Sequence, residues 1–290
     1  MAALNAASSK RAAVLLLLYA DRAGHLRVVI TMRAASLRNF SGHAALPGGK
    51  ADDVDETPFQ IARREAFEEI GLPIDDDRLP SPFRIEPLCM LPPSLARTHL
   101  VVRPCVAFLH ADRSSSGQGP DESLLVEESM IPRLDAREVA ALFSAPLYNF
   151  LKVEDLPPPP GQLLPPGHWY DGAWTSWKNH SWRVHNFYVP VNNQRVMRPR
   201  RRSSASSGGG GGTGPRVASN DEERFEGRLK VWGMTGRLLV DAARIAYDEK
   251  PEMEHNDSYG DLDVIMTAVA EGALDDVRGH DVGDGGPAKM

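Results

Sequence analysis

Two spacings of apolar residues recur along the chain and predict a mixture of strands and helices. Runs of consecutive or alternating apolar residues, rich in β-branched types, predict strands at residues 12–20, 26–33, 84–91, 99–109 and 182–190. Helices are predicted at 57–71, at 134–143, where Asp135 and Glu138 have capping-box spacing, and at 234–247, where apolar residues recur at three and four positions. Because these elements interleave without a regular strand-helix-strand repeat, the pattern favours a mixed α/β domain over a doubly wound parallel sheet.

The first apolar run has two interpretations. Lys10 and Arg11, followed by the apolar residues 12–20, have the layout of a secretory signal. No small-residue cleavage site follows, and residues 21–24 instead have the composition of a turn between two strands. The run is also shorter than the ~20 residues that cross a bilayer. The hairpin interpretation is preferred, and a soluble protein with no membrane span is expected.

Several segments have compositions that do not pack into a core. A flexible Arg/Ser/Gly-rich insertion is predicted at about 192–221, interrupting a single domain over residues 10–250. Its arginines, between Arg195 and Arg202, resemble a nucleic-acid patch or import signal, but a solvated insertion is the preferred interpretation. Residues 251–290 are predicted to form a largely flexible C-terminal tail.

Composition and charge narrow the class of protein. The chain of 290 residues carries a formal net charge of −6, so no nucleic-acid partner is expected. It contains two cysteines, Cys89 and Cys105. Whether they form a disulfide is left open. Two cysteines do not make a disulfide-built scaffold, and a reducing compartment is favoured.

The helix predicted at 57–71 carries an unusual density of acids. Thr57, Pro58 and Gln60 have the pattern of a capped helix start, and Gly71 is a typical stop. At 3.6 residues per turn, the acids of the last two turns fall within an arc of about 100°; they are Glu65, Glu68 and Glu69.

These three glutamates lie where the helix dipole disfavours anions. A solvated acidic face, partly compensated by Arg63 and Arg64, would explain the charge alone. It would not explain the preceding Gly48–Gly49 pair or the abrupt stop at Gly71. A hard divalent cation such as Mg²⁺ or Mn²⁺, held by oxygen ligands, explains the cluster directly.

The same stretch resembles the Nudix box, G-x5-E-x7-R-E-U-x-E-E-x-G-U, where U is aliphatic. The matching residues are Gly49, Glu56, Arg64, Glu65, Ala66, Glu68, Glu69, Gly71 and Leu72. Six residues, rather than five, separate Gly49 from Glu56. The resemblance implies an α/β/α sandwich with a mixed β-sheet and hydrolysis of a pyrophosphate linked to a nucleoside.

The resemblance also implies roles for individual residues. Glu65, Glu68 and Glu69 would bind the divalent metal, with the Gly49 carbonyl as a further ligand. Arg64 would orient the glutamates and pair with Glu56. The proton acceptor for the attacking water stays open: the candidates are Glu68 and, in a later loop, Glu127 or Glu128.

Upstream of the box, residues 31–49 resemble the extension of the coenzyme A diphosphatase branch, roughly L-L-T-x-T-[SA]-x3-R-x3-G-x3-F-P-G-G. Thr31, Ala34, Arg38, Gly42 and Pro47–Gly48–Gly49 are in register, whereas Arg33 and Leu46 replace the second threonine and the phenylalanine. The resemblance implies that Arg38, Gly42 and Arg33 bind substrate, because the 3′-phosphate of coenzyme A suits a guanidinium partner.

The expected function is therefore metal-dependent hydrolysis of coenzyme A, or its oxidised or acyl forms, to 3′,5′-ADP and a 4′-phosphopantetheine product. The alternatives are a Nudix hydrolase of oxidised nucleotides such as 8-oxo-dGTP, of ADP-ribose or of capped RNA, and a catalytically silent Nudix module. The C-terminal Ala288–Lys289–Met290 resembles a variant of the peroxisomal S-K-L terminus. It indicates a peroxisomal protein with an import receptor as partner; otherwise the protein would be cytoplasmic.

Overall fold

A mixed eight-stranded sheet forms the centre of the fold. The computed structural model describes residues 10–33, 43–112, 126–134, 139–158, 160–192, 194, 196–198 and 227–274. The strands of the central sheet are β1 (Arg11–Ala20), β2 (Leu26–Arg33), β3 (Ala44–Ala45), β4 (Gly48–Lys50), β5 (Phe83–Met90), β6 (Ser94–Leu95), β7 (Val101–Ala111) and β8 (Val139–Pro146). All five strands predicted from the apolar pattern, including the fifth in a second sheet, are present.

The register of the sheet fixes the position of the paired glycines. β1 runs parallel to β7 and antiparallel to β2, so the sheet is mixed as predicted. β4 pairs with the start of β1 in antiparallel register, which places Gly49 opposite Ala13 and Gly48 opposite Val14. The two glycines are therefore held by backbone pairing at one end of β1.

Both faces of the central sheet are buried. Alternate residues of β1 point to opposite faces: Leu15 and Leu17 pack with Ile61 and Ile70 of helix α1 (Pro58–Ile70), whereas Leu16 and Leu18 pack on the other face. That second face is covered by helix α2 (Gly233–Tyr247) and by a smaller sheet. A helix on each face of a mixed sheet confirms the predicted α/β/α arrangement.

The smaller sheet has three antiparallel strands in the order β11-β10-β9. Its strands are β9 (Tyr170–Trp177), β10 (His180–Pro190) and β11 (Arg228–Trp232). Phe187 and Val231 face the main core, where Phe187 packs edge-on against Phe150 with ring centroids 4.8 Å apart. Burial of these aromatic groups fixes the small sheet against α2.

The prediction of a helix at 134–143 is wrong. Residues 139–146 form strand β8, which pairs with β2 from Arg27 to Arg33, and residues 135–138 lie outside the described part of the chain. Val139 packs on the face of α1, and Phe143 packs on the face of α2. A short apolar run suits a buried strand as well as a buried helix, and pairing with β2 decides the outcome.

The segment predicted as a flexible tail contains helix α3 (Leu262–Ala270). Its buried Val264, Ile265 and Ala268 form a small separate core with Leu95 and Leu274. The prediction therefore missed ordered structure between residues 251 and 274. The C-terminal tripeptide 288–290 and most of the predicted insertion lie outside the described residues.

Two further features concern the expected environment of the protein. Cys89 and Cys105 are both free thiols, one exposed and the other buried. Among the described residues, no helix combines the length and the apolar character needed to cross a membrane.

Candidate active site

Local capping fixes where helix α1 begins and ends. The Gln60 N–H donates to Thr57 Oγ1 at 3.3 Å, and the Thr57 N–H donates to Gln60 Oε1 at 2.8 Å. This reciprocal pair confirms the predicted capping box. At the other end Gly71 adopts a left-handed conformation with φ of 69°, which suits glycine. The predicted helix boundaries therefore hold, and the three glutamates occupy its last two turns.

Glu65 lies directly against the backbone of Gly49. A Cβ atom placed on Gly49 would come within 2.3 Å of Glu65 Oε1, so any larger residue here would displace this carboxylate. The Glu65 side chain is 18% exposed. Burial raises the pKa of Glu65, while the neighbouring Arg64 guanidinium opposes that rise. The close approach explains why a glycine stands at the start of the box.

Arg64 joins four parts of the site. Its Nε donates to Glu56 Oε1 at 2.9 Å, its Nη1 donates to Glu65 Oε1 at 3.1 Å, and its Nη2 donates to the Lys50 carbonyl at 2.8 Å. Nη1 also lies 3.6 Å from Glu68 Oε1. The hydrogen bond to Glu56 raises the pKa of Arg64 and lowers that of Glu56. The predicted Arg64–Glu56 pair is present, and the guanidinium orients two box glutamates.

Glu69 and Glu68 differ in their surroundings. Glu69 Oε2 accepts a hydrogen bond from the Gly48 N–H at 3.2 Å, so both glycines contact a box glutamate. Glu68 is the exposed member of the three, with 44% of its side chain accessible. The site therefore contains two glutamates fixed against the backbone and one that faces solvent.

The oxygen donors of the site suit a divalent metal. Carboxylate oxygens from Glu65, Glu68 and Glu69 and the backbone carbonyl of Gly49 are the hard ligands that Mg²⁺ and Mn²⁺ prefer. These groups lie next to β4, and their chemical type suits such a cation. Within the described ranges no three acidic, histidine or cysteine side chains are already arranged around one point.

The structure describes one of the three residues predicted to bind substrate, Arg33. It is half-buried at the end of β2, where its N–H donates to the His43 carbonyl at 3.0 Å. Its buried Nε has no hydrogen-bond partner among the described residues, although a guanidinium N–H usually has one. Arg38 and Gly42 lie outside the described residues.

Glu127 and Glu128 lie at the opposite end of the sheet. Glu127 Oε2 accepts from the Arg22 N–H at 3.2 Å, and Glu128 Oε1 lies 3.6 Å from Arg22 Nη1. Arg22 lies two residues beyond the end of β1, whereas Gly49 pairs near its first residue. At ~3.3 Å per residue, the separation along the strand is roughly 20 Å or more. The geometry therefore favours Glu68 over both as proton acceptor.

A cleft of about 850 Å³ lies beside the first half of α1. Its lining combines apolar residues such as Leu15 with five aspartates, at positions 53, 55 and 75–77, and two arginines, Arg63 and Arg64. This concentration of negative charge opposes an anionic substrate. The side of α1 that faces Gly48 and Gly49 of β4 is therefore the better place for a pyrophosphate.

The sequence did not predict which backbone groups contribute to the site. The Gly48 N–H and the Lys50 carbonyl hold Glu69 and Arg64, respectively. Every residue carries such groups, so their use depends on the register of β4 and not on residue type. The paired glycines were the only signal that the backbone would come close to other groups.

Gly49→Ala is expected to lower kcat/KM by roughly 10²-fold, because the new methyl group would displace the Glu65 carboxylate by about an ångström. The melting temperature should change little, since only the far end of a side chain has to move. Gly24→Ala is the matched control: Gly24 has φ of 84° and open space around it. It should lower stability and leave activity unchanged. Retention of more than half of the activity by Gly49→Ala would contradict the assigned contact.

Residues 9–129 match the NUDIX domain family. The chain is 32% identical to peroxisomal coenzyme A diphosphatase 1 of Saccharomyces cerevisiae, over 86% of this chain and 74% of that protein. It is 27% identical to the mitochondrial Nudix hydrolase 15 of Arabidopsis thaliana, over 83% of this chain and 60% of that protein.

A third relative is the peroxisomal coenzyme A diphosphatase ndx-8 of Caenorhabditis elegans, 37% identical over 34% of this chain and 39% of that protein. The chain thus spans about three quarters of the yeast relative and less than two thirds of the other two.

Proposed function

The chain belongs to the Nudix hydrolase family, and from this premise we propose that it hydrolyses the pyrophosphate of coenzyme A, including its oxidised and acyl forms. The products would be 3′,5′-ADP and 4′-phosphopantetheine or its derivative. The observation that carries the proposal is the similarity to the yeast coenzyme A diphosphatase, which extends over most of both chains. The complete set of box carboxylates in this chain supports an active enzyme.

The divalent metal belongs to this proposal. Glu65, Glu68, Glu69 and the Gly49 carbonyl would hold Mg²⁺ or Mn²⁺. When bound, such a cation neutralises charge on phosphate oxygens and acidifies a water for attack on phosphorus. Arg64 would keep Glu65 and Glu68 oriented through the contacts already present at 3.1 and 3.6 Å.

Glu68 is the proposed proton acceptor. Glu65 and Glu69 are fixed against the backbone of β4, whereas the Glu68 carboxylate faces solvent, where the attacking water would arrive. The water oxygen would bond to phosphorus, its proton would pass to a Glu68 carboxylate oxygen, and the bond from that phosphorus to the bridging oxygen would break. Each product would then carry one phosphate of the original pyrophosphate.

Arg33 supports an anionic substrate next to this machinery. Arg33 lies on β2, which pairs with β3, and β3 ends three residues before Gly48. The Arg33 Nε is buried without a partner in the described part of the chain. Together with the predicted Arg38 and Gly42, it would contact the phosphates of coenzyme A. A guanidinium is well suited to that contact because it donates several hydrogen bonds in a fixed plane.

The proposed location is the peroxisome. Two relatives are named as peroxisomal proteins, and residues 288–290 resemble the peroxisomal S-K-L tripeptide. An import receptor would then bind this tripeptide.

Product analysis by mass spectrometry tests the proposal. Purified protein is incubated with coenzyme A and Mg²⁺ or Mn²⁺, in parallel with ADP-ribose and 8-oxo-dGTP, and Glu69→Gln serves as the inactive control. The expected products are 3′,5′-ADP and phosphopantetheine from coenzyme A, absent in the variant. Turnover of another substrate alone would overturn the coenzyme A assignment. No turnover of any substrate would favour a catalytically silent module.

A further inference from the structure

Arg11 lies outside the Nudix box but reaches the loop that precedes α1. Its Nη1 donates to the Val54 carbonyl and its Nη2 donates to the Glu56 carbonyl, both at 2.5 Å. The Arg11 carbonyl accepts from the Ala51 N–H at 3.0 Å. One residue at the start of β1 therefore contacts the beginning, the middle and the end of the loop from Lys50 to Glu56.

This loop is the part of the box that departs from the usual pattern. Six residues, rather than five, separate Gly49 from Glu56. Four of the five residues from 52 to 56 are acidic, so the loop carries repulsive charge as well as an added residue. A longer loop has more conformations available and needs additional contacts to hold one of them. The Arg11 guanidinium supplies a positive charge and two hydrogen bonds at this point.

The end of the loop determines where Arg64 points. Glu56 presents its carbonyl to Arg11 and its carboxylate to Arg64 Nε, at 2.9 Å. The same carboxylate accepts from the Asp52 N–H at 2.8 Å. Arg64 then donates to Glu65 at 3.1 Å. A continuous series of hydrogen bonds thus leads from Arg11 through Glu56 and Arg64 to a box glutamate.

We propose that Arg11 is a positioning residue for the catalytic glutamates. It holds the lengthened loop so that Glu56 fixes Arg64, and Arg64 fixes Glu65 for metal binding. Arg11 contacts neither metal nor substrate in this role. The inference rests on the proposed function to the extent that Glu65 and its neighbours hold a divalent metal.

Replacing Arg11 with methionine removes the hydrogen bonds and keeps much of the side-chain volume. Loss of a group that orients metal ligands typically weakens metal binding or activity by ~10–100-fold. For Arg11→Met, the Kd of Mn²⁺, measured by electron paramagnetic resonance, is expected to rise about tenfold. The kcat should fall by a similar factor, while KM for the substrate stays within about twofold because no substrate contact is lost.

Two further variants separate positioning from a general loss of stability. Arg27→Met is the matched control, because Arg27 on the adjacent strand β2 also donates to a backbone carbonyl, that of Ser144, at 3.1 Å. It should leave Mn²⁺ affinity and kcat unchanged. Arg11→Lys retains the charge but not the planar fork, and it should recover part of both quantities.

The outcomes distinguish this inference from the proposed function. Equal Mn²⁺ affinity in wild type and Arg11→Met, or equal losses in Arg11→Met and Arg27→Met, would overturn the role of Arg11 alone. Mn²⁺ binding with turnover of a substrate other than coenzyme A would overturn the substrate assignment and leave the Arg11 test intact. Failure of the wild type to bind Mn²⁺ would overturn both.

Discussion

Glu65→Gln is expected to lower kcat by roughly 10³-fold, because a divalent metal supplies several kcal/mol of transition-state stabilisation and about 4 kcal/mol corresponds to that factor in rate. Glutamine has nearly the same shape and can still accept the hydrogen bond from Arg64. It lacks the negative charge that a metal would require from the residue packed on Gly49. The expected loss therefore arises from charge and not from a change in packing.

The same substitution should not destabilise the fold. Burial raises the pKa of Glu65, which means that the folded protein disfavours the charged carboxylate relative to water. A neutral amide avoids that cost, so the melting temperature of Glu65→Gln should equal or exceed that of the wild type. Residues of a functional site are expected to lower the stability of the folded state where function requires a buried charge.

Activity and thermal unfolding measured on the same preparations check this prediction. Glu86→Gln is the control, since Glu86 lies on β5 with 63% of its side chain exposed and should change neither quantity. A Glu65→Gln enzyme with more than a tenth of wild-type kcat would contradict the assigned role. A large drop in melting temperature would contradict the explanation by burial.

Short-range signals made the catalytic helix predictable. The capping residues Thr57 and Gln60 and the stop at Gly71 act within a few positions of one another, so their effect can be read before any tertiary contact is known. The Arg64–Glu56 pair followed from the resemblance to the box, not from helix geometry. The assembly of Glu69 with Gly48 required the register of β4 against β1.

Elements that depend on distant partners were predicted less well. β8 is a strand because β2 offers it a paired edge, and its sequence fits a helix equally well. β11 has five residues, too few for a periodic signal, and β9 contains aspartate, glycine and serine. Helix α3 is apolar on several sides, so its sequence lacks the contrast that identifies an amphipathic helix.

The role of Arg11 shows the same limit within the site. In the sequence it belongs to an apolar run with a basic start, where it suggested part of a targeting signal. Its contacts with Val54 and Glu56 span more than forty positions along the chain. Only the pairing of β1 with β4 brings that side chain to the loop.

Arg237 lies at the centre of a buried ionic network that joins α2 to the segment before α3. Its side chain is 4% exposed, and its Nε lies 3.5 Å from Asp261 and 3.9 Å from Asp241. Its Nη2 donates to the Gly260 carbonyl at 2.7 Å. The two carboxylates also accept backbone N–H bonds, from Gly260 to Asp241 and from Leu95 to Asp261. The network therefore connects three separate parts of the chain.

Arg237→Met is expected to lower the free energy of unfolding by about 3–5 kcal/mol, the usual cost of removing one partner from a buried ion pair. The loss would arise because Asp261 stays buried without its cation, while Asp241 keeps only Arg244, whose Nη1 lies 3.3 Å away. Burial already raises the pKa of Asp241, which shows that its charged form is costly there. Urea unfolding, with the midpoint and the slope compared between variants, measures the change.

Arg84→Met provides the matched control for a surface pair. Arg84 lies 2.7 Å from Asp112 but is 59% exposed, and such pairs contribute about 1 kcal/mol or less. Adding Asp261→Asn to Arg237→Met should recover part of the lost stability, because it removes the uncompensated buried charge. A loss no larger than that of Arg84→Met would show that water or rearrangement replaces the guanidinium. The C-terminal segment would then be held by its apolar contacts with Leu95 and not by this network.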